Sequence, residues 1–474
     1  MSGRDMSFQA VMARKNEIMK SSMGMDYADY IYSPVAFDYE RMMADTGYSM
    51  DEIIRIQNET KVGNTPLYEL RNLTAAVRKI SARGKGARIL VKDEAINASG
   101  SFKARRASIS VFQAARMGYK GVVAATSGNY GAAVASQAAQ RNLKCIVIQE
   151  VYDSRGVGQP EIIEKGRACE AYGAEVMKLT VGPELFYMQL RTLEETGFFN
   201  ASLYTPYGIR GIESLGYEIA QQTRAQFGKN PEAVVVTHAG GGNLTGTARG
   251  LLQAGCADAR IIACSVDLRG LHMASDHDFN RKSFTTGHTG FGFPFAVWPD
   301  RSDVPRNAAR GLRYLDRYVT VTQGSVFYIT EALAQLEGLE RGPAGNTSLT
   351  AAFSLAQTMD EDAVVVVNET EYTGAGKHPY AQIAFAKKMG VEVFRGDPGE
   401  ERPGKNIIIP LKPEQVAAED VDLDKLRESY VRNACKSLED VAEMSVADIE
   451  FLCEDARLTR RRAEELIRGN GVSF

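Results

Sequence analysis

The sequence predicts an α/β protein with largely parallel sheets. Between residues 62 and 394, short apolar runs alternate with longer stretches whose apolar residues fall at helical spacing. The clearest runs are ARILVKD, GVVAATS, KCIVIQE, AEVMKLT, AVVVTHA, RIIACSV, YVTVTQG and AVVVVNE. Each is nearly continuous in apolar residues, the pattern of strands covered by helices on both faces. Strands that alternate with helices in this way build a parallel sheet, and ligands bind at the carboxyl ends of its strands.

In chain order, residues 1–60 read as a helical extension packed on the main body, with DYERMMADTGYSMDEIIRIQNE rich in charges and methionines. Residues 61–394 form the α/β region. Within it, HDFNRKSFTTGHTGFGFPFAVWPDRSDVPR (residues 277–306) breaks the rhythm and carries the sole tryptophan, Trp298. A loop of that length inside a compact domain is usually functional. RGDPGEERPGKNIIIPLKPEQ begins a Pro/Gly-rich linker or arm over residues 395–425, and residues 426–474 read as a helical tail. In the tail, Ser437 and Ser445 each open a capping-box pattern, with Asp440 and Asp448 three residues on.

Composition narrows the functional classes. A chain of 474 residues with 56 basic and 59 acidic side chains carries a formal charge of −3, which offers no footprint for nucleic acid or an anionic membrane. The basic stretch RLTRRRAEEL follows the acidic LEDVAEMSVADIEFLCEDA, so it reads as a solvated helix face or a subunit contact. The longest apolar runs are of strand length, far short of a membrane span. The first twenty residues lack the apolar core of an export signal, so a cytoplasmic location is expected. The six cysteines are scattered without CxxC spacing, and the five histidines without HxxxH spacing; reduced thiols and no metal site are expected.

Three strand-ending loops carry the candidate chemistry. NASGSFKARRAS places Lys103 between a strand and the start of a helix. The helix dipole and partial burial both disfavour a cation there, which frees a neutral amine for Schiff-base chemistry. Lys103 also fits a solvated surface position beside Arg105 and Arg106. TSGNYG (residues 126–131) offers hydroxyl and backbone donors at a helix N-terminus, suited to a carboxylate or to ordinary capping. AGGGNLTG (residues 239–246) offers successive backbone amides, a nest for phosphate or a tight packing turn. It has neither the GK[ST] of a P-loop nor the third glycine of a dinucleotide fingerprint. A lysine, a carboxylate loop and a phosphate nest together suggest pyridoxal phosphate.

VGNTPLYEL, SGSFKARR, TSGNYG and GGGNLTG, in this order, resemble the tryptophan-synthase-β-like (fold type II) pyridoxal-phosphate enzymes over residues 62–394. The resemblance implies two open, twisted, largely parallel sheet domains with the cofactor between them. It implies that Lys103 bonds the cofactor as a Schiff base and that Asn129 meets its phenolic oxygen. It assigns Thr126, Ser127 and Gly128 to the substrate carboxylate, and Gly240, Gly241, Gly242, Asn243 and Leu244 to the phosphate. Thr373 would meet the pyridine nitrogen, with Glu369 and Thr370 as alternatives because residues 369–372 lengthen that approach. One departure is Ala104, where the family often has an acidic residue.

The wording of the 285–306 loop, of VYDSRGVGQPEI and of ERGPAGNTSL resembles a thiolase-type branch of that family. That likeness implies an acyltransferase of amino-acid degradation, in ornithine fermentation. Its large subunit cleaves a small amino-oxo acid with coenzyme A to alanine and acetyl-coenzyme A. It also implies a small second (α) subunit and homo-oligomerisation. The coenzyme A thiolate would attack directly, since no cysteine lies in a cofactor motif, and His288 is the best acid–base candidate among the histidines. A β-replacement or β-elimination enzyme such as threonine or cysteate synthase, and a non-catalytic scaffold, remain alternative readings.

Overall fold

The computed structural model describes residues 4–126, 128–182, 184–271, 276–285, 292–300, 304, 306–371, 379–438 and 443–474. All eight expected strands form, and they divide between two sheets. The larger runs Leu67–Glu69, Arg88–Asp93, Val364–Glu369, Ala233–Thr237, Arg260–Val266, Arg317–Val321 and Glu419–Asp420 from edge to edge. Its five inner strands are parallel and its two short edge strands antiparallel. Val364–Glu369 lies between two parallel neighbours and is buried at every residue, which explains its run of four valines.

The smaller sheet orders Glu175–Thr180, Lys144–Tyr152, Gly121–Thr126 and Phe199–Asn200, all parallel. Helices Pro206–Phe227 and Gly242–Gln253 pack closely because their contact is lined with glycine. A Cβ on Gly216 would collide with the Thr247 carbonyl, and one on Gly250 with that of Glu213. This contact fixes the helix that follows the glycine-rich loop.

The N-terminal extension is helical and shares the main core. Val11, Met19, Met42 and Ile53 are buried in one apolar cluster with Val122 and Leu215. Helix Met50–Glu59 opens with a complete capping box between Ser49 and Glu52.

Residues 395–425, expected as a linker or arm, carry more regular structure than their composition indicates. The proline and glycine residues do mark turns, as in Pro398–Glu400. Between turns, however, Asn406–Pro410 pairs in parallel with Glu392–Gly396, and Glu419–Asp420 adds an edge to the larger sheet.

The tail forms helices Leu423–Lys436, Val446–Asp455 and Arg460–Gly469. Of the two expected capping boxes, that of Ser445 and Asp448 is complete. Ser437 closes the helix Leu423–Lys436, and its expected partner Asp440 lies outside the described residues. The tail packs on its own chain: Asp448 Oδ1 accepts from the Val35 and Ala36 amides at 3.0 and 2.9 Å. Among the described residues, no helix is long and apolar enough to cross a membrane.

Candidate active site

Lys103 is the first residue of the helix Lys103–Arg116, just after the loop that leaves the strand Arg88–Asp93. The end of the neighbouring strand Val364–Glu369 holds that loop. The Phe102 amide donates to the Thr370 carbonyl at 3.0 Å, and Ser101 bridges to Glu371. The VGNTP segment braces it from outside, with the Gly63 amide donating to Asn97 Oδ1 at 2.9 Å. These residues therefore support the lysine loop.

Lys103 is only partly exposed, and burial around its amine pushes its pKa well below the ordinary lysine value, helped by the charges of Arg106 and Lys165. Among the described residues no carboxylate pairs with it; Nζ lies 4.7 Å from the centroid of the Phe102 ring. That shift favours the neutral amine, the nucleophilic form. Arg105 and Arg106 are both fully buried, so the solvated surface reading of this segment does not hold.

Three further loops face Lys103 across one cavity. Thr126, Gly128 and Asn129 come from the end of the smaller sheet's strand Gly121–Thr126. Gly240, Gly241, Gly242 and Asn243 come from the end of Ala233–Thr237, and Thr370 and Glu371 from the end of Val364–Glu369. The cavity thus lies at the carboxyl ends of strands from both sheets, where open α/β sheets bind ligands.

In the nest, Gly241 has φ +82°, a left-handed conformation that glycine adopts without strain. Among the described residues no side chain caps the helix Gly242–Gln253, which leaves its first-turn amides to an anion. Asn243 accepts from Asn368 at 2.8 Å through Oδ1, while its buried Nδ2 has no partner among the described residues. Leu244 is fully buried and contributes its backbone only. Behind the loop, burial lowers the His238 pKa to about 4, which keeps that ring neutral.

In the expected carboxylate loop, Thr126 Oγ1 accepts from the Gly128 amide at 2.9 Å, so these two donors are turned toward each other. Ser127 lies outside the described residues, as do Thr373 and His288. Of the alternatives to Thr373, Thr370 lines the cavity. Glu369 turns away against Gly345, and burial raises its pKa well above the ordinary carboxyl value.

Several polar groups that line the cavity were not candidates from sequence, Arg106, Lys165, Tyr204 and Glu371 among them. Lys165 approaches Gly128 from the helix Pro160–Ala171 and pairs with Glu161, whose carboxyl burial raises to about 7. The only signal for Lys165 was an i,i+4 charge pair in PEIIEKG, the spacing of an ordinary surface pair. Arg106 and Glu371 stood beside recognised motifs, but nothing in their spacing showed which way they point.

A family model described as "Pyridoxal-phosphate dependent enzyme" matches residues 59–371. Over 469 residues, and 99% of both chains, the protein is 64% identical to a 2-amino-4-ketopentanoate thiolase beta subunit from an unknown prokaryotic organism. It is 62% identical to a protein of the same name from Acetoanaerobium sticklandii, over 96% of both chains. Two crystal structures of O-ureido-L-serine synthase, one a mutant with O-ureido-L-serine bound, share the fold with a TM-score of 0.50. They are 19% and 20% identical, and they cover 69% and 67% of this chain and 91% and 90% of their own.

Proposed function

This chain belongs to the pyridoxal-phosphate-dependent enzymes, and from that premise we propose that it is the large, catalytic subunit of a 2-amino-4-oxopentanoate thiolase. The observation that carries the reading is identity above 60% along nearly the whole chain to proteins of that name, in a chain whose Lys103 amine is shifted toward the neutral form and faces a glycine-rich loop across one cavity. The reaction takes 2-amino-4-oxopentanoate and coenzyme A to alanine and acetyl-coenzyme A. The setting proposed is cytoplasmic ornithine degradation, and a small α subunit is the proposed partner.

The residues present fit the cofactor. Gly240 to Leu244 form a cradle of open amides for its phosphate, and the orphaned Oδ1 of Asn129 marks a polar position facing the cavity. Asn129 Nδ2 spends one hydrogen on Glu371 and keeps another for a phenolic oxygen. Thr370 is the described residue proposed nearest the pyridine edge; Thr373, the first expectation for that contact, lies outside the described residues. When bound, pyridoxal phosphate supplies a conjugated sink for electrons released next to the amino-bearing carbon.

The chain's own groups then divide the work. The neutral Lys103 amine takes the proton from the substrate's α carbon and later returns one there. Lys165, against Gly128, supplies the charge that holds the substrate carboxylate beside the 126–128 loop. The coenzyme A thiolate attacks the ketone carbon. The bond from that carbon to the β carbon breaks, its electron pair stays on the β carbon, and a proton is added there. All six cysteines are free, none lines the cavity, and burial pushes Cys145 and Cys169 up to about 12. That leaves no activated thiol to carry the acyl group. A product assay on the full-length protein with its copurified partner tests the reading. Alanine should form from 2-amino-4-oxopentanoate only when coenzyme A is present, with acetyl-coenzyme A in equal amount, and turnover of serine- or threonine-like substrates without coenzyme A would point instead to β-replacement or β-elimination.

A further inference from the structure

Arg106 is a buried cation whose counter-charge is missing from the described chain. It is 2% exposed, its Nε has no partner, and among the described residues it makes no hydrogen bond or ion pair. Its neighbour shows how this fold ordinarily buries an arginine. Arg105 meets Glu94 at 2.7 and 2.8 Å, Glu218 at 2.8 Å and Ser214 at 2.9 Å. Arginine does not discharge in proteins, so an uncompensated guanidinium in the interior carries a heavy desolvation cost.

The guanidinium faces the glycine nest. Arg106 follows Lys103 by three residues on one helix, and both line the cavity with Gly240 to Asn243. A Cβ on Gly242 would collide with Arg106 Nη2, so glycine at 242 is what lets the cation reach the open amides. The Tyr130 ring, 5.8 Å from Cζ, closes the other side and is no anion.

We propose that Arg106 is a side-chain ligand of the cofactor phosphate, adding charge-assisted hydrogen bonds to the main-chain amides of residues 240–244. The ligand class is a phosphomonoester dianion, which supplies the counter-charge that the protein withholds. The proposal rests on reading Lys103 as the lysine that carries the cofactor. It also distinguishes two anion sites in one cavity: phosphate at Arg106 and the substrate carboxylate at Lys165.

The test compares two ligands that differ only in the phosphate. Full-length apoenzyme is titrated with pyridoxal phosphate and with pyridoxal, followed by absorbance. Arg106→Gln should bind pyridoxal phosphate about ten- to a hundredfold more weakly while its affinity for pyridoxal is retained. The phosphorus resonance of the bound cofactor should shift as well. Arg106→Lys keeps the charge without the planar fork and should fall between, and it decides the matter if Arg106→Gln does not fold. An unchanged ratio of the two affinities in a folded variant overturns the proposal, as do equal losses for both ligands. Borohydride reduction of the wild-type holoenzyme with peptide mapping separates the two levels. Label on Lys103 with an unchanged ratio refutes Arg106 alone, whereas label on another lysine refutes the placement of the site itself.

Discussion

Asn129 Nδ2 donates to Glu371 Oε2 at 3.2 Å, and this bond joins the two sheets across the cavity. Asn129 opens the helix after the smaller sheet's strand Gly121–Thr126, and Glu371 follows the larger sheet's strand Val364–Glu369. Removing the carboxylate frees the amide proposed to hold the cofactor's phenolic oxygen. Glu371→Ala should therefore lower kcat/KM about ten- to a hundredfold and shift the absorbance of bound cofactor, with label still going to Lys103. A variant with wild-type rate and spectrum would show that Glu371 does not position Asn129.

Gly241 sits at φ +82° immediately before the nest helix. A valine there is strained by its backbone alone, whatever space surrounds it. Gly241→Val should weaken cofactor binding by about tenfold or more in a protein that is still folded, as absorbance titration beside a thermal melt would read. Undiminished affinity would remove this loop from the phosphate site.

The tail is locked by a buried ion pair at a distance from the chemistry. Arg310 Nε donates to both oxygens of Asp455, at 2.8 and 2.7 Å, and the side chains are 2% exposed on each partner. Tyr430 of the preceding tail helix donates to the same carboxylate. Asp455→Asn leaves Arg310 with Asp300, at 2.9 Å, as its remaining carboxylate; losing one charge-assisted partner from this buried network costs about 2 kcal/mol. Its urea midpoint should fall while affinity for pyridoxal phosphate stays unchanged. A weakened cofactor with an unmoved midpoint would reverse that assignment.

Glu150 gives the fold a pH dependence. Burial in the smaller sheet raises its carboxyl to about 7, against one hydrogen bond from the Gly182 amide. The folded state thus holds a proton that the unfolded chain releases near its ordinary value. Its contribution is full below the unfolded pKa of about 4.5 and is lost as pH rises through 7. Stability from this group should fall between pH 5 and pH 8, and Glu150→Gln should flatten that part of a melting-temperature profile. An equally steep profile in the variant would assign the slope to other carboxyls.

The strands were legible because burial on both faces writes continuous apolar runs, and Val364–Glu369 is the clearest case. The short edges Leu67–Glu69 and Glu419–Asp420 were not legible as strands. Two or three residues carry no period, and their pairing is decided by distant neighbours. Lys103, Asn129 and the glycine loop could be placed together from motif order, and they do line one cavity. Arg106 and Lys165 could not, because a charged residue on a helix reads as solvated until tertiary packing buries it. Their roles depend on which face of the helix meets the nest or the 126–128 loop, and packing with the other sheet sets that face.

The position of the broken bond dictates an isotopic signature for the proposed reaction. In 2-amino-4-oxopentanoate the bond to be cut joins the β carbon to the ketone carbon, one atom beyond the carbon that bears nitrogen. The released electron pair falls on the β carbon, and conjugation from there to nitrogen runs through the α carbon. The α proton must therefore leave first, and Lys103, whose amine is shifted toward the neutral form, is the group proposed to take it. After acetyl-coenzyme A departs, the β carbon has two hydrogens from the substrate and needs a third. That carbon becomes the methyl group of alanine, so in deuterium oxide the methyl should acquire deuterium. The α carbon should also be labelled, in part, because Lys103 can return the proton it removed before exchange with solvent. The methyl label is thus the firmer measurement, read by proton NMR or mass spectrometry of the alanine formed. Coenzyme-A-dependent alanine with a fully protonated methyl, where internal transfer has been excluded, would rule out release of the electron pair onto the β carbon.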